Sequence, residues 1–165
     1  MNIYLIGMPG CGKSSVGKAL SAEKKYKYID LDHYIEQKNK MSIPEIFDSF
    51  GEAKFREYEK DALNDFKDKD GYIISCGGGI IGNLDNKKLM FGKCVYIKVD
   101  INELKSRISA DKVNIRPMFK TKTVEELYKE RKDKYAFFSD LDVENKVVSE
   151  CVKEIRRGLK IWKRY

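Results

Sequence analysis

Eight consecutive residues, Gly7-Met8-Pro9-Gly10-Cys11-Gly12-Lys13-Ser14, set glycines, a lysine and a hydroxyl at the spacing G-x-x-x-x-G-K-[ST]. Glycines let the backbone wrap closely around an anion. Successive N–H groups at the start of a helix then point at phosphate oxygens. In this arrangement Lys13 reaches the β- and γ-phosphates of a nucleoside triphosphate and the Ser14 hydroxyl sits on Mg²⁺. The expected nucleotide-binding residues are Gly10, Cys11, Gly12, Lys13, Ser14 and Ser15. ATP is the expected nucleotide: the guanine-reading pattern N-K-x-D has its nearest match in Asn86-Lys87-Lys88-Leu89, which lacks the aspartate. Cys11 lies inside the loop at a helix N-terminus, a position that favours a reactive thiolate. The plainer alternative is a buried, inert thiol.

Three further groups have the right chemistry for an acceptor site. Asp30 and Asp32 stand two apart at the end of an apolar stretch, and in extended backbone they point the same way. One suits the magnesium shell and the other an acceptor hydroxyl; alternatively, Asp32 simply caps the following helix. Arg56 and Glu59, three apart, share a helix face, where surface ion pairing is the usual outcome. Gly77-Gly78-Gly79 allows a ligand to approach the backbone, unless it is a plain tight turn. His33, the only histidine, reads as a surface residue at a helix start.

The elements that must position these groups alternate between strand and helix. Strands are expected at Asn2–Ile6, Tyr28–Asp30, Tyr72–Cys76, Cys94–Val99 and Leu141–Glu144. Helices are expected from about Lys13 to Ala22, Asp32 to Asn39, Ile101 to Ile108 and Thr123 to Phe138. Ser42-Ile43-Pro44-Glu45 is a capping box that starts another helix, expected to stop at Gly51 before a longer one carrying Phe55, Tyr58, Ala62 and Phe66. A last amphipathic helix carries Val148, Val152, Ile155, Leu159 and Trp162. Such alternation implies βαβ units, a parallel sheet covered on both faces, and ligands at the carboxyl ends of its strands.

A chain of 165 residues, 42% hydrophobic and 36% charged, suits one globular domain. No apolar run approaches the roughly 20 residues that span a bilayer, and the N-terminus lacks the marks of a signal peptide. No membrane association and a cytoplasmic location are therefore expected. Cys11, Cys76, Cys94 and Cys151 form no C-x-x-C pair, so reduced thiols are expected rather than a zinc site. The net charge of +7 raises the question of nucleic acid. The densest basic run, Lys153 to Arg164, is however the wet face of the terminal helix, and no nucleic-acid partner is expected.

Taken together these segments resemble the shikimate kinase family. The resemblance rests on the phosphate loop, D-x-D-x-x-I-E at Asp30–Glu36, S-I-x-E-I-F…G-E-x-x-F-R-x-x-E at Ser42–Glu59, the glycines at Gly77–Gly79, Arg116-Pro117, and Arg131 four residues before Tyr135. It runs from about residue 2 to 155. It implies a three-layer α/β P-loop kinase, with five parallel strands ordered 2-3-1-4-5 flanked by helices. Residues 1–165 would form a single domain with its core at 1–108 and 123–165. An acceptor-binding region would lie at about 32–60 and a mobile lid at about 109–122. The implied reaction transfers the γ-phosphoryl of ATP to the 3-hydroxyl of shikimate, with Mg²⁺ as cofactor. Lys13, Asp32 and Arg116 would be catalytic, with Arg116 delivered by the lid. Asp30 would support magnesium through water alongside Ser14. Arg56 and Arg131 would hold the substrate carboxylate, and the glycines Gly77, Gly78 and Gly79 would meet the acceptor. Arg107 is the candidate for a further nucleotide contact, with Lys112 as the alternative. The chain departs from the family's R-P-L-L at Met118-Phe119 and from its R-x-P-L-Y at Asp133-Lys134. A monomer is the default. Competing readings are another small-metabolite P-loop kinase, such as a gluconate kinase, and a nucleotide-binding regulatory module without catalysis.

Overall fold

The computed structural model describes residues 1–22, 25–111, 119 and 121–161. Strand β1 (Asn2–Ile6) is buried at every position, as a strand covered on both faces must be. It lies at the centre of a five-stranded sheet with β2 (Lys27–Asp30), β3 (Tyr72–Ser75), β4 (Gly92–Lys98) and β5 (Leu141–Glu144), in the order β2-β3-β1-β4-β5. Every pairing is parallel. This is the order that the resemblance implied.

Register explains why the chemistry gathers at one edge. Leu5 and Asp30 both pair with Ser75, and Ile6 pairs with Tyr96. The segments that leave β1, β2 and β3 therefore emerge side by side: the phosphate loop, the Asp30–Asp32 turn and the glycine triplet.

Seven helices are described: α1 (Lys13–Ser21), α2 (Leu31–Asn39), α3 (Ile43–Asn64), α4 (Asn86–Leu89), α5 (Ile101–Ala110), α6 (Val124–Phe138) and α7 (Val148–Gly158). A 3₁₀ turn at Ile80–Gly82 follows the glycine triplet. Ser42 and Thr123 open α3 and α6 with capping boxes closed by Glu45 and Glu126. Helix α1 packs on β1, β2, β3 and α7, while α6 packs on β4, α5 and the 3₁₀ turn. No helix among the described residues is long and apolar enough to cross a membrane.

Gly51 does interrupt the helix as expected, with non-helical φ 80° and ψ 174°, so α3 is two helical segments joined at a kink. Each segment buries apolar residues, Ile46 before the kink and Phe55, Ala62 and Leu63 after it. Other boundaries differ from the sequence expectation. Helix α5 runs on through Ser109 and Ala110, so the expected lid region begins inside a helix. Helix α7 ends at Gly158, and Trp162, Lys163 and Arg164 lie outside the described residues. So do Lys112, Arg116, Pro117 and Met118, and with them most of the expected lid.

Candidate active site

The phosphate end of the site comes from the loop between β1 and α1. Gly12, the last residue before the helix, has φ 92°, a left-handed value that L side chains rarely adopt. A Cβ there would also lie 2.4 Å from Asn145 Nδ2, so glycine is required twice over. Lys13 Nζ donates to the carbonyls of Gly7 (2.9 Å) and Met8 (3.0 Å), which folds the ammonium across the loop it serves. Ser14 and Ser15 are exposed in the first turn of α1. Cys11 is buried, which favours the inert thiol over the reactive one.

Two residues brace this loop from its flank. Asn145, just beyond β5, donates from Nδ2 to the Cys11 carbonyl (2.9 Å). Arg107 reaches the same carbonyl from Nη1 (3.4 Å), donates from Nη2 to the Asn145 carbonyl (3.0 Å), and is held by Glu103 at Nε (2.9 Å). Arg107 is thus beside the phosphate loop, where its candidacy requires it. Asn145 was missed by motif reasoning. Its only sequence signal is a position at the carboxyl end of a strand, where ligand contacts concentrate.

Asp30 and Asp32 do not share an extended segment. Asp30 is the N-cap of α2, accepting from the His33 N–H at 3.1 Å, and Asp32 lies in the first turn of that helix. The capping role considered for Asp32 therefore belongs to Asp30. Asp30 lines a cleft with Ser14, Tyr28, His33 and Tyr34, so the two expected metal-side residues face one cleft. A hydroxyl and one carboxylate suit magnesium, which takes few protein ligands and keeps waters and phosphate oxygens. His33 is exposed, as expected.

The acceptor end is assembled around the glycine triplet. A Cβ on Gly77 would lie 2.8 Å from Asp32 Oδ1, one on Gly78 3.0 Å from Arg131 Nη1, and one on Gly79 2.7 Å from Arg56 Nη2. The three glycines thus let three functional side chains close on one stretch of backbone, a role that a plain turn would not need. Pro9 of the phosphate loop comes within 3.1 Å of the same Gly78 position, so the two ends of the site touch. Asp32 Oδ1 and Arg131 Nη1 are buried and have no hydrogen-bond partner among the described residues, and both abut the triplet. Buried polar groups normally have partners, and these are placed to take theirs from a polar ligand.

Behind this face the charges are supported from the core. Arg56 Nη1 donates to both Glu59 oxygens at 3.0 and 2.9 Å, and Glu59 is buried, so this is not the surface ion pair of the usual reading. Burial raises the Glu59 carboxyl to about 7 despite Arg56, with the nearby Asp32 adding to the rise. Burial likewise raises Asp32 to about 6; Asp30 and Glu36 push the same way, while Lys13 and Arg56 oppose. Desolvation opposes the charge on Arg56, but Glu59 and Glu52 outweigh it and the guanidinium is held more firmly protonated than usual. Tyr135 donates its hydroxyl to the Gly78 carbonyl (2.8 Å) and stacks on Tyr96, ring centroids 4.9 Å apart. Burial pushes its phenol well above the ordinary tyrosine value, so it stays a donor. Glu59 and Tyr135 were read from the sequence as a face-sharing neighbour and a spacing marker. Neither their burial nor their supporting bonds are visible in one dimension.

Comparison with known proteins gives a consistent picture. The family model described as shikimate kinase matches residues 9–160. The chain is 36% identical over 164 residues to a shikimate kinase of Sulfurihydrogenibium sp. (strain YO3AOP1), with 96% of this chain and 98% of that one covered. Among solved structures it resembles shikimate kinase from Bacteroides thetaiotaomicron, with a TM-score of 0.85 at 28% identity over 98% of this chain and 99% of the other. It also resembles shikimate kinase from Acinetobacter baumannii in complex with shikimate, with a TM-score of 0.84 at 28% identity over 96% and 93%. A match of this extent makes the chain a member of the shikimate kinase family.

Proposed function

We propose that this chain transfers the γ-phosphoryl of ATP to the 3-hydroxyl of shikimate, giving shikimate 3-phosphate and ADP. The observation that carries the reading is the convergence of Asp32, Arg56 and Arg131 on Gly77–Gly79, in contact with the phosphate loop through Pro9. A compact hydroxylated ring bearing a carboxylate fits this set. Two arginine forks offer paired donors to the carboxylate. Asp32, with one buried oxygen unpartnered, is placed to accept the proton of the reacting hydroxyl. The triplet offers backbone polar groups to the remaining hydroxyls. A relative's complex with shikimate supports the same substrate.

In this reading Lys13 leaves the Gly7 and Met8 carbonyls for the β- and γ-phosphates when ATP enters. Gly10, Cys11, Gly12, Ser14 and Ser15 line the phosphates, and Arg107 is the nearby cation for the nucleotide. Ser14 and, through water, Asp30 would hold Mg²⁺, which supplies charge neutralisation across the phosphates. Arg116, outside the described residues, is assigned to neutralise charge on the transferring phosphoryl group. Phosphoryl transfer needs mainly positioning and charge stabilisation, so these groups suffice. The chain is taken to act as a monomeric, cytoplasmic enzyme on small molecules.

A coupled assay of ADP release, with shikimate or gluconate and with or without Mg²⁺, tests the reading. Magnesium-dependent turnover with shikimate and none with gluconate is expected. Turnover with gluconate alone assigns the chain to another small-metabolite kinase, and binding of ATP without turnover on either makes it a regulatory module.

A further inference from the structure

Arg56 carries two carboxylates, and they differ in almost every respect. Glu59 is 1% exposed and grips Nη1 with both oxygens. Glu52 is 67% exposed and meets Nη2 through one oxygen at 3.2 Å. Nη2 is also the guanidinium nitrogen closest to Gly79, at 2.7 Å from its Cβ position, and so it is the corner that faces the glycine triplet. The buried carboxylate holds the back of the arginine, while the exposed one occupies the front.

From this asymmetry we infer that Glu52 is an internal stand-in for the acceptor carboxylate, competing for Nη2 of Arg56 until the acceptor displaces it. The inference rests on the reading that Arg56 receives that carboxylate. A second carboxylate approaching Nη2 meets a position already held by a negative charge, and Glu52 must rotate away before the fork is free. The displacement is easy. Exposed ion pairs contribute little, and Glu52 regains water when it leaves. Glu52 thus keeps Arg56 oriented and neutralised in the free protein at the expense of acceptor affinity.

A plainer reason for an acid at this position also exists. Gly51 interrupts α3, so Glu52 opens the second helical segment, where negative charge is favoured by the helix dipole. The two explanations predict different results. A residue serving only the helix would leave acceptor affinity unchanged when neutralised. A competitor would, on removal, tighten it.

The experiment measures shikimate dissociation by calorimetry in the presence of saturating Mg·ADP, for the wild type, Glu52→Gln and Glu52→Ala, with circular dichroism to establish folding. An exposed pair is worth about 0.2–1 kcal/mol, which converts to about a 1.4- to fivefold change. Both variants are expected to bind shikimate tighter by a factor in this range and to bind ADP as before. The carboxamide analogue of shikimate should gain nothing. Glu59→Gln, which removes the support behind Arg56, should move shikimate affinity the other way. Unchanged or weaker shikimate binding in both folded Glu52 variants overturns the inference while leaving the proposed function intact. Absence of shikimate binding by the wild type overturns the proposed function, and this inference falls with it.

Discussion

The phosphate end of the site comes mainly from one stretch of chain, whereas the acceptor end draws on four: the start of α2, the middle of α3, the end of β3, and α6. The difference extends to the forces involved. The phosphate loop works through backbone N–H groups and one lysine, and its demands are conformational, as at Gly12 with φ 92°. The acceptor end has buried and half-buried charged side chains: Asp32 raised to about 6 and Glu59 raised to about 7, with Arg56 and Arg131 beside them. Phosphate is common to every nucleotide and can be held by a generic cradle. A particular acceptor must be recognised by groups placed from several directions, and these need burial and support to stay in place.

The comparison can be broken most directly at Asp32, which belongs to the acceptor end but is assigned to the chemistry in the proposed function. Asp32→Asn should leave nucleotide binding intact and lower kcat by about 10²–10⁴, the usual contribution of a general base. A fall of less than tenfold in steady-state kcat would remove it from that role.

Next are the arginines. Arg56→Lys and Arg131→Lys each lose a forked, charge-assisted contact worth about 1.5–3 kcal/mol. Shikimate affinity should therefore weaken by roughly ten- to a hundredfold while ATP affinity holds, as measured by titration of each ligand separately. Equal loss for both ligands would show that the two ends are not independent in energy.

Gly12→Ala should do the reverse. Left-handed backbone costs a non-glycine residue about 1–2 kcal/mol, and the new methyl would press on Asn145 Nδ2 at 2.4 Å. Nucleotide binding should fail first, with a lower thermal midpoint. Normal ATP titration with this variant would mean that the loop tolerates what its geometry forbids.

The gentlest test is pH. Asp32 and Glu59 have folded-state values near 6 and 7, raised from ordinary values of 3.8 and 4.5, so the folded state binds more protons than the unfolded one between about pH 4 and 7. Stability should therefore fall as pH rises through that window, by no more than about 1.4 kcal/mol per pH unit for each proton. Glu59→Gln should flatten the upper part of the slope, read from denaturant titrations at a series of pH values.

How much of this was legible in sequence follows the same division. The phosphate loop is local: one pattern specifies the turn, the lysine, the hydroxyl and the helix behind it, and each lies where the pattern put it. Asp32, Arg56 and the glycine triplet stood out by residue type and spacing, while Arg131 and the particular role of each came through the ordered set of motifs in the resemblance. Spacing alone left Arg56 and Glu59 as a surface pair. What makes them otherwise is the burial of Glu59 and the approach of Arg56 to Gly79, where α3 packs against α2 and α4, a fact about distance in space. Asn145 escaped notice because a single amide after a strand has no pattern. Gly51, by contrast, was legible: glycine usually breaks a helix, and the backbone leaves helical geometry there. The exchange of roles between Asp30 and Asp32 was not, since helix α2 began one residue earlier than expected.

The four cysteines give this division a practical use. All are buried and unpaired, with Cys11 in the phosphate loop, Cys76 at the head of the glycine triplet, Cys94 in β4 and Cys151 in α7. A buried thiol reacts with a small disulfide reagent only when its surroundings open, so each is a native clock for the breathing of its own neighbourhood. Without any engineered label, mass spectrometry of the four labelling rates would resolve the motions of the two ends. ADP should slow the clock at Cys11, shikimate the one at Cys76, and neither should much alter the one at Cys151.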